Sequence, residues 1–471
     1  MGADHPPPAV GCNGRPPQRK LISGLLRPGV RQGILVLLDQ GIQSASTFLT
    51  GILVARSVTK TEYGFFTVYI SLILVAQGVQ QSLFAQPCTV FAPKMKGLRR
   101  CFYLGSTVTQ QVVFALVLTV ALGAAGTVMW VIGGLEGSEI AWLLCATVGA
   151  VSLRPFMRSL LLSCFQHRWA FLMNSGASVL QGLLVALLFV GQNLGATVAL
   201  TVIAGTSGLC SSLALALAWR RGVVRFNKRF LVDDLKRNWR LGKWGLGRTM
   251  TSTLSGTAYP IALAAFLTPA DAAVFGVCAG LAGVINPAVM GVAAFLGPRM
   301  AFKAHHLGVA AVVTSTRRMT LIAAGLLVVY VVLVASAGPT LVSVLYGAQY
   351  ADLGLLLALM AVAVAVESVA SPADVAINAL ERPSVLFYSR LLASVFAVTI
   401  GVGMLRLWGS LGAALGLLVG NLMTSSTRVG WLLRRASGVA RKVLVNNGGP
   451  RCSNNGAASL RAPPPPPRRT E

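Results

Sequence analysis

Eight charged residues lie inside long apolar stretches of this sequence. They are Asp39, Arg154, Arg158, Arg248, Glu367, Asp374, Arg390 and Arg428. A charge in an apolar environment is costly unless it faces water or a partner, so these residues mark a pathway or a binding site by default. Arginines outnumber carboxylates in the set, and a guanidinium group binds phosphate oxygens through paired hydrogen bonds. The set therefore favours contact with an anionic group.

The first apolar stretch, LLDQGIQSASTFLTGILVA (37–55), also carries a polar stripe. One face of a helix through this stretch holds Asp39, Gln43, Ser46 and Thr50, which recur at intervals of three or four residues. The same spacing recurs in the second half of the chain, at Arg248, Ser252, Ser255 and Tyr259. We expect both stripes to line a polar cavity rather than to face lipid.

The composition indicates an all-α polytopic membrane protein. Hydrophobic residues make up 55% of the 471 residues and charged residues only 11%, against about 25% charged in soluble domains. A helix needs about 20 apolar residues to cross a bilayer. Twelve stretches meet this length, near 34–55, 64–92, 108–132, 140–164, 170–191, 196–219, 244–267, 273–297, 316–337, 353–379, 385–405 and 410–433.

The basic residues are distributed unevenly between alternate loops. Of the 40 lysines and arginines, only Arg56, Lys60 and Arg406 fall on one side of the predicted membrane. The positive-inside rule then predicts an even number of spans in the cell membrane, with both termini in the cytoplasm. Because the net charge of +27 serves topology in this way, no nucleic-acid partner is expected.

The chain resembles itself across its middle. ILVARSVTKTEYGFFTV (52–68) aligns with IALAAFLTPADAAVFGV (261–277), and APKM (92–95) aligns with GPRM (297–300). Two parallel halves of six spans can enclose a central cavity, as in transporters built of two bundles. The predicted organisation is a tail (1–33), a first bundle (34–219), a basic linker (220–243), a second bundle (244–433) and a proline-rich basic tail (434–471), with both tails disordered and cytoplasmic.

The intramembrane charges also have structural interpretations. Arg158, Arg390 and Arg428 can extend to the cytoplasmic surface as topology anchors. Asp39, Arg248 and Glu367 can belong to structural ion pairs. The prolines at corresponding places in the two halves, Pro155 and Pro372, are expected to kink their helices.

Cysteine and histidine positions point away from metal chemistry and catalysis. The eight cysteines show no metal-ligand spacing. The four histidines lie in a tail or on the cytoplasmic side, away from any site of acid–base work. No metal, no cofactor and no catalytic residue is therefore expected, and the protein is not expected to be an enzyme.

Three short motifs carry a family resemblance. They are Asp39-Gln40-Gly41, Leu53-Val54-Ala55-Arg56 and Glu62-Tyr63-Gly64. Together with the twelve-span plan, they make residues 30–435 resemble the polysaccharide and lipid-linked oligosaccharide flippases of the multidrug/oligosaccharidyl-lipid/polysaccharide exporter superfamily. The resemblance implies a V-shaped transporter of two bundles that moves a polyprenyl-pyrophosphate-linked glycan to the outer leaflet by alternating access. The implied partners are this glycan substrate, membrane lipids and glycan-assembly proteins.

The family has no shared ligand residue to carry over, so the site roles rest on the residues themselves. We assign pyrophosphate and glycan binding to Arg154, Arg158, Arg248, Gln43, Ser46, Ser252 and Tyr259. Buried carboxylates can take up a coupling proton or form ion pairs, and these roles fall to Asp39, Glu367 and Asp374.

Two other functions remain as alternatives. A drug or organic-cation exporter of the same architecture should line its cavity with acidic and aromatic residues, whereas arginines prevail here. A membrane glycan polymerase or ligase should carry a sizeable external loop, and the predicted external loops are short.

Overall fold

The computed structural model describes residues 18–133, 138–164, 166–252, 258–350, 352–380 and 382–447, and these residues form helices without any strand. The helices are α1 (Gln18–Ser57), α2 (Lys60–Gln80), α3 (Gln86–Phe91), α4 (Gly97–Gly133), α5 (Ser138–Ser163), α6 (His167–Val190), α7 (Ala196–Arg220), α8 (Lys228–Ser252), α9 (Ala258–Phe266), α10 (Pro269–Ala282), α11 (Asn286–His306), α12 (Gly308–Tyr346), α13 (Gly354–Val369), α14 (Ser371–Ala379), α15 (Pro383–Phe396) and α16 (Val402–Asn447). Short π-helical turns at Gln81–Ala85 and Ala397–Gly401 connect α2 to α3 and α15 to α16.

The helices follow the predicted plan of about twelve spans in two bundles. Eight stretches of the described chain are long and apolar enough to cross a membrane. Several predicted spans are built from two helices in line, such as α10 with α11 and α13 with α14. The protein is therefore an all-α multi-pass membrane protein.

Each half packs mainly on itself. In the first half, α1 lies along α6, and α5 lies between α4 and α7. In the second half, α13 lies between α12 and α16, and α11 packs on α14. Alanines are common at these contacts because small side chains let helices approach closely in a bilayer, where burial from water supplies no drive between helices.

We refer to the side of the molecule with the loops around 94–100, 220–243 and 299–318 as the basic side. On the opposite side, the two halves are in close contact through α2 and α10. A Cβ atom on Gly64 would lie 1.8 Å from the Pro269 carbonyl oxygen, so only glycine permits this approach. Gln349 Nε2 donates to the Ala55 carbonyl at 3.0 Å, which ties the second half to the end of α1.

Most of the basic linker lies in α8, which packs on both halves. One face of α8 is buried against the first half through Asp234, Asn238 and Gly242. Arg99 Nη1 donates to Asp234 Oδ2 at 3.1 Å, and the Tyr103 hydroxyl donates to Asn238 Oδ1 at 2.7 Å. The hydrogen bonds thus fix the linker onto the first half before α8 reaches α15 in the second.

The two predicted proline kinks have different outcomes. Pro155 lies inside α5, which is continuous from Ser138 to Ser163. Pro372 lies in the first turn of α14, directly after the break at Ala370 between α13 and α14. Proline is tolerated in a first turn because the missing N–H has no helical partner there.

A sharp turn inside α16 separates the last two spans. Gly409 has a φ of 58° in the middle of an otherwise helical segment. This left-handed conformation is costly for residues with a Cβ atom, so glycine allows the chain to reverse direction here.

Candidate functional site

Asp39 is the centre of a polar cluster in the first half. It lies on α1, is almost fully buried, and accepts three side-chain hydrogen bonds. Arg158 Nε on α5 donates to Oδ2 at 2.7 Å. Asn174 Nδ2 and Ser175 Oγ on α6 donate to Oδ1 at 2.8 and 3.1 Å. The carboxylate therefore joins three helices in a region of low dielectric constant, where charge-assisted hydrogen bonds are strong.

Arg154 lies one helical turn before Arg158 and is held by neutral groups. Its Nε donates to Asn174 Oδ1 at 2.8 Å, and an Nη atom donates to the Asn174 carbonyl at 2.9 Å and to Ser178 Oγ. Asn174 thus bridges the Arg154 guanidinium to the Asp39 carboxylate. The cluster contains two arginines and one carboxylate, which leaves one net positive charge.

The polar stripe of α1 packs against α6 rather than turning toward the second half. Ser46 Oγ donates to the Ser178 carbonyl at 2.7 Å, and Gln181 Nε2 donates to Thr50 Oγ1 at 3.1 Å. Gln43 accepts from Asn174 Nδ2 at 3.2 Å. The expected shared cavity wall is thus replaced by a helix interface, because α6 offers complementary donors and acceptors that the stripe would otherwise lack.

A second polar cluster lies in the second half. Glu367 on α13 pairs with Arg390 on α15. Asp374 on α14 pairs with Arg428 on α16, with Arg428 Nη1 2.8 Å from Asp374 Oδ2, and Arg428 Nε also donates to Ser389 Oγ at 3.1 Å. Arginines and carboxylates balance in this cluster, so its net charge is zero.

Both clusters are partly accessible. The side chains of Glu367 and Asp374 are 41% and 33% exposed, and Arg158 and Arg390 are also partly exposed. By contrast, Arg154 and Arg428 are buried. Each of these three ion pairs lies within one half. The two clusters therefore offer polar atoms in both halves without joining them.

Among the predicted site residues of span 7, the structure describes the side chain of Tyr259 but not those of the others. Tyr259 is buried beside Phe275, with ring centroids 6.2 Å apart, and its hydroxyl lies near Gly401 and Gly416. The side chains of Arg248 and Ser252 lie outside the described part of the structure, as does the whole of Ser255. The roles of all these residues stay predictions.

Sequence reasoning missed the partners on α6. Asn174, Ser178 and Gln181 recur at intervals of four and three residues, as the first three polar residues of the α1 stripe do, and Ser175 lies next to Asn174. A comparison of the two stripes would have predicted that α1 packs on α6, because polar faces in a bilayer must satisfy their hydrogen bonds with one another. In the described part of the chain, no three His, Cys, Asp or Glu side chains are placed to hold a metal ion.

Comparison with known protein families and with curated proteins gives no match. Solved structures do match. An inward-facing multidrug resistance MATE family transporter of the MOP superfamily has a TM-score of 0.69 at 16% identity, over 87% of this chain and 99% of that one. An outward-facing MATE family transporter has a TM-score of 0.61 at 15% identity, over 88% and 96%.

A third structure is a MOP superfamily transporter from Pyrococcus furiosus, whose binding pocket has reversed polarity that suggests a different function. Its TM-score is 0.61 at 15% identity, over 87% of this chain and 96% of that one. At identities this low, the structural matches establish a shared fold of two helical bundles and nothing beyond the fold.

Proposed function

We propose that this protein is an alternating-access transporter that moves a polyprenyl-pyrophosphate-linked glycan from the cytoplasmic to the outer leaflet of the cell membrane. The observation that carries the proposal is the net positive charge of the Asp39 cluster. Two guanidinium groups share one carboxylate there. An uncompensated charge inside a membrane protein is expensive, and an anionic cargo supplies the missing counter-charge.

The exposed edge of Arg158 is the first contact for the pyrophosphate. Arg158 uses only Nε in its described bond to Asp39, so the other guanidinium N–H groups are available to phosphate oxygens. Arg154 stays buried and contributes its charge through the Asn174 bridge. The polyprenyl chain stays in the bilayer, and glycan hydroxyls bind polar side chains such as Gln43.

The arrangement of the halves supports loading from the cytoplasmic side. If the basic side is cytoplasmic, as the positive-inside rule predicts, the close contact of α2 with α10 closes the outer side. The higher TM-score to the inward-facing neighbour than to the outward-facing one agrees with this state. A membrane potential that is negative inside favours outward movement of an anion by about 2.3 kcal/mol per charge per 100 mV.

The carboxylates give the cycle a means of release. Phosphate oxygens compete with Asp39 for Arg158 and with Glu367 for Arg390. Re-formation of either ion pair would displace the phosphate. Asp374 pairs with Arg428 in the same cluster.

Binding measurements on the purified protein test the proposal. Arg154→Gln neutralises the cluster while the pair of Asp39 with Arg158 is retained, so it should weaken binding of a polyprenyl pyrophosphate about tenfold, which corresponds to about 1.4 kcal/mol. Arg406→Gln is the matched control, because Arg406 lies on the opposite side over the Phe266 ring. Equal affinities of wild type, Arg154→Gln and Arg406→Gln would remove the anion-site assignment.

Export of organic cations is the second candidate. It is favoured by the neighbours described as multidrug resistance transporters and by the exposed carboxylate of Glu367. A cation exporter should bind a lipophilic cation such as ethidium, and Glu367→Gln should weaken that binding. Arg154→Gln should then leave it unchanged or strengthen it, which is the reverse of the order expected for an anionic cargo.

A further inference from the structure

A groove on the basic side of the first half shares no lining residue with either polar cluster. It runs between α6 and α7 and has a volume of about 220 Å³. Its walls are formed by Leu172, Leu213 and Leu217, all exposed on the outside of the bundle. Met173 and Cys210 line it from the inside. In a membrane, such a wall faces lipid chains.

The groove ends at polar side chains where the helices leave the apolar region. Arg221, directly after α7, lies over the ring of Trp169, with its guanidinium carbon 4.5 Å from the ring centroid. Gln166, at the start of α6, completes this end. A guanidinium stacked on an aromatic face is held in place while its N–H groups point outward from its edge, so they can donate to a phosphate.

More positive charge surrounds this end of the groove. Arg220 and Arg168 are exposed beside it. The Arg225 guanidinium lies close to Gly222, with Nη2 3.4 Å from the position of a Cβ atom there. Each basic residue near a membrane surface adds to the attraction of an anionic lipid. The charge therefore selects an anionic headgroup over a zwitterionic one.

We propose that this groove binds an anionic phospholipid of the leaflet on the basic side, with its phosphate at Arg221 and part of one acyl chain between α6 and α7. The volume supports a lipid over a freely diffusing molecule. Pockets for small molecules enclose about 300–1,000 Å³, whereas this groove holds part of a chain whose remainder stays in the bilayer. A free phosphate would leave the leucine walls without a role.

A bound lipid would stabilise the helices that carry the Asp39 cluster. Met173 lines the groove and is followed in the chain by Asn174, the bridge between Arg154 and Asp39. Because a ligand that binds only the folded state raises its stability, the lipid should raise the thermal stability of this bundle.

Thermal unfolding of the purified protein in detergent, with added lipid, tests the proposal. Phosphatidylglycerol should raise the Tm of the wild type by about 3 °C or more, and phosphatidylcholine or inorganic phosphate should not. Arg221→Gln should lose this shift. Arg406→Gln should keep it, because it removes the same charge from an exposed residue on the opposite side, over the Phe266 ring.

A second variant tests the chain-binding part of the groove. Ala214→Trp fills the groove and should also abolish the shift. If that variant does not fold, native mass spectrometry of Arg221→Gln replaces it and should show loss of one bound phosphatidylglycerol. Equal shifts in Arg221→Gln and Arg406→Gln, or equal effects of the two lipids, would overturn the proposal. Displacement of phosphatidylglycerol by an equimolar polyprenyl phosphate would overturn it as well, since the groove would then serve the cargo.

Discussion

Arg158 on α5 donates from Nε to Asp39 Oδ2 on α1 at 2.7 Å, and this bond joins residues 119 positions apart. Asn174 and Ser175 complete the coordination of the carboxylate from α6. The pair is both the polar centre of the first bundle and, in the proposed function, the contact that the cargo competes for.

Loss of the Asp39 carboxylate should destabilise the first bundle. Asp39→Ala leaves two arginines without a counter-charge, and breaking a buried ion pair typically costs about 3–5 kcal/mol. We expect a lower Tm in detergent for Asp39→Ala than for Asp233→Ala, whose side chain is exposed. The double variant Asp39→Ala with Arg158→Ala should lose less stability than the sum of the losses in the two single variants. Strict additivity would show that the two side chains do not interact.

Cross-linking α2 to α10 should arrest transport. A Cβ atom on Gly276 would lie 3.3 Å from Thr67 Cβ, close to the spacing of about 3.5–4.5 Å in disulfides. Thr67→Cys with Gly276→Cys, in a background without the native cysteines, should form a bond that blocks transport until a reductant is added. Thr67→Cys alone is the control. Full transport by the completely cross-linked protein would contradict an opening of the opposite side during the cycle.

The packing of α8 on the first half should depend on Asp234 and not on Asp233. Asp234 is fully buried and paired with Arg99, whereas Asp233 is exposed. Asp234→Asn should lower the free energy of unfolding by about 1–2 kcal/mol. This is less than for a fully buried pair, because Arg99 is about one-third exposed. Limited proteolysis within 220–243 should then be faster for Asp234→Asn than for Asp233→Asn. Equal cleavage rates would show that the pair does not hold the linker.

The turn between the last two spans should tolerate only glycine. Gly409→Val places a β-branched residue at a φ of 58°, at a cost of about 1–3 kcal/mol. Gly403→Val is the matched control, since Gly403 lies in the same helix with open space around its Cβ position. The ratio of folded to aggregated protein on size-exclusion chromatography should fall for Gly409→Val, and an equal ratio in both variants would refute the strain.

Much of the fold can be predicted from the sequence. The length of each apolar stretch identifies a span, and the lysines and arginines of the loops indicate on which side each loop lies. The charged positions could be found in the same way. Their partners could not, because the pairing of Asp39 with Arg158 depends on how α1, α5 and α6 pack, and periodicity fixes the face of a helix but not its neighbour. The internal repeat aligned Asp39 with Arg248 as equivalent positions, while the α6 stripe that satisfies α1 lies in the same half.

Outward movement of an anionic lipid-linked glycan is tested most directly in cells that lack this gene. Extracted polyprenyl-linked glycans should accumulate in the inner leaflet, with loss of surface glycan. Wild type and Arg406→Gln should reverse both changes. Arg154→Gln should reverse neither, while the variant protein remains in the membrane at the normal level. Unchanged lipid-linked glycan and unchanged surface glycan in the deletion strain would contradict the account.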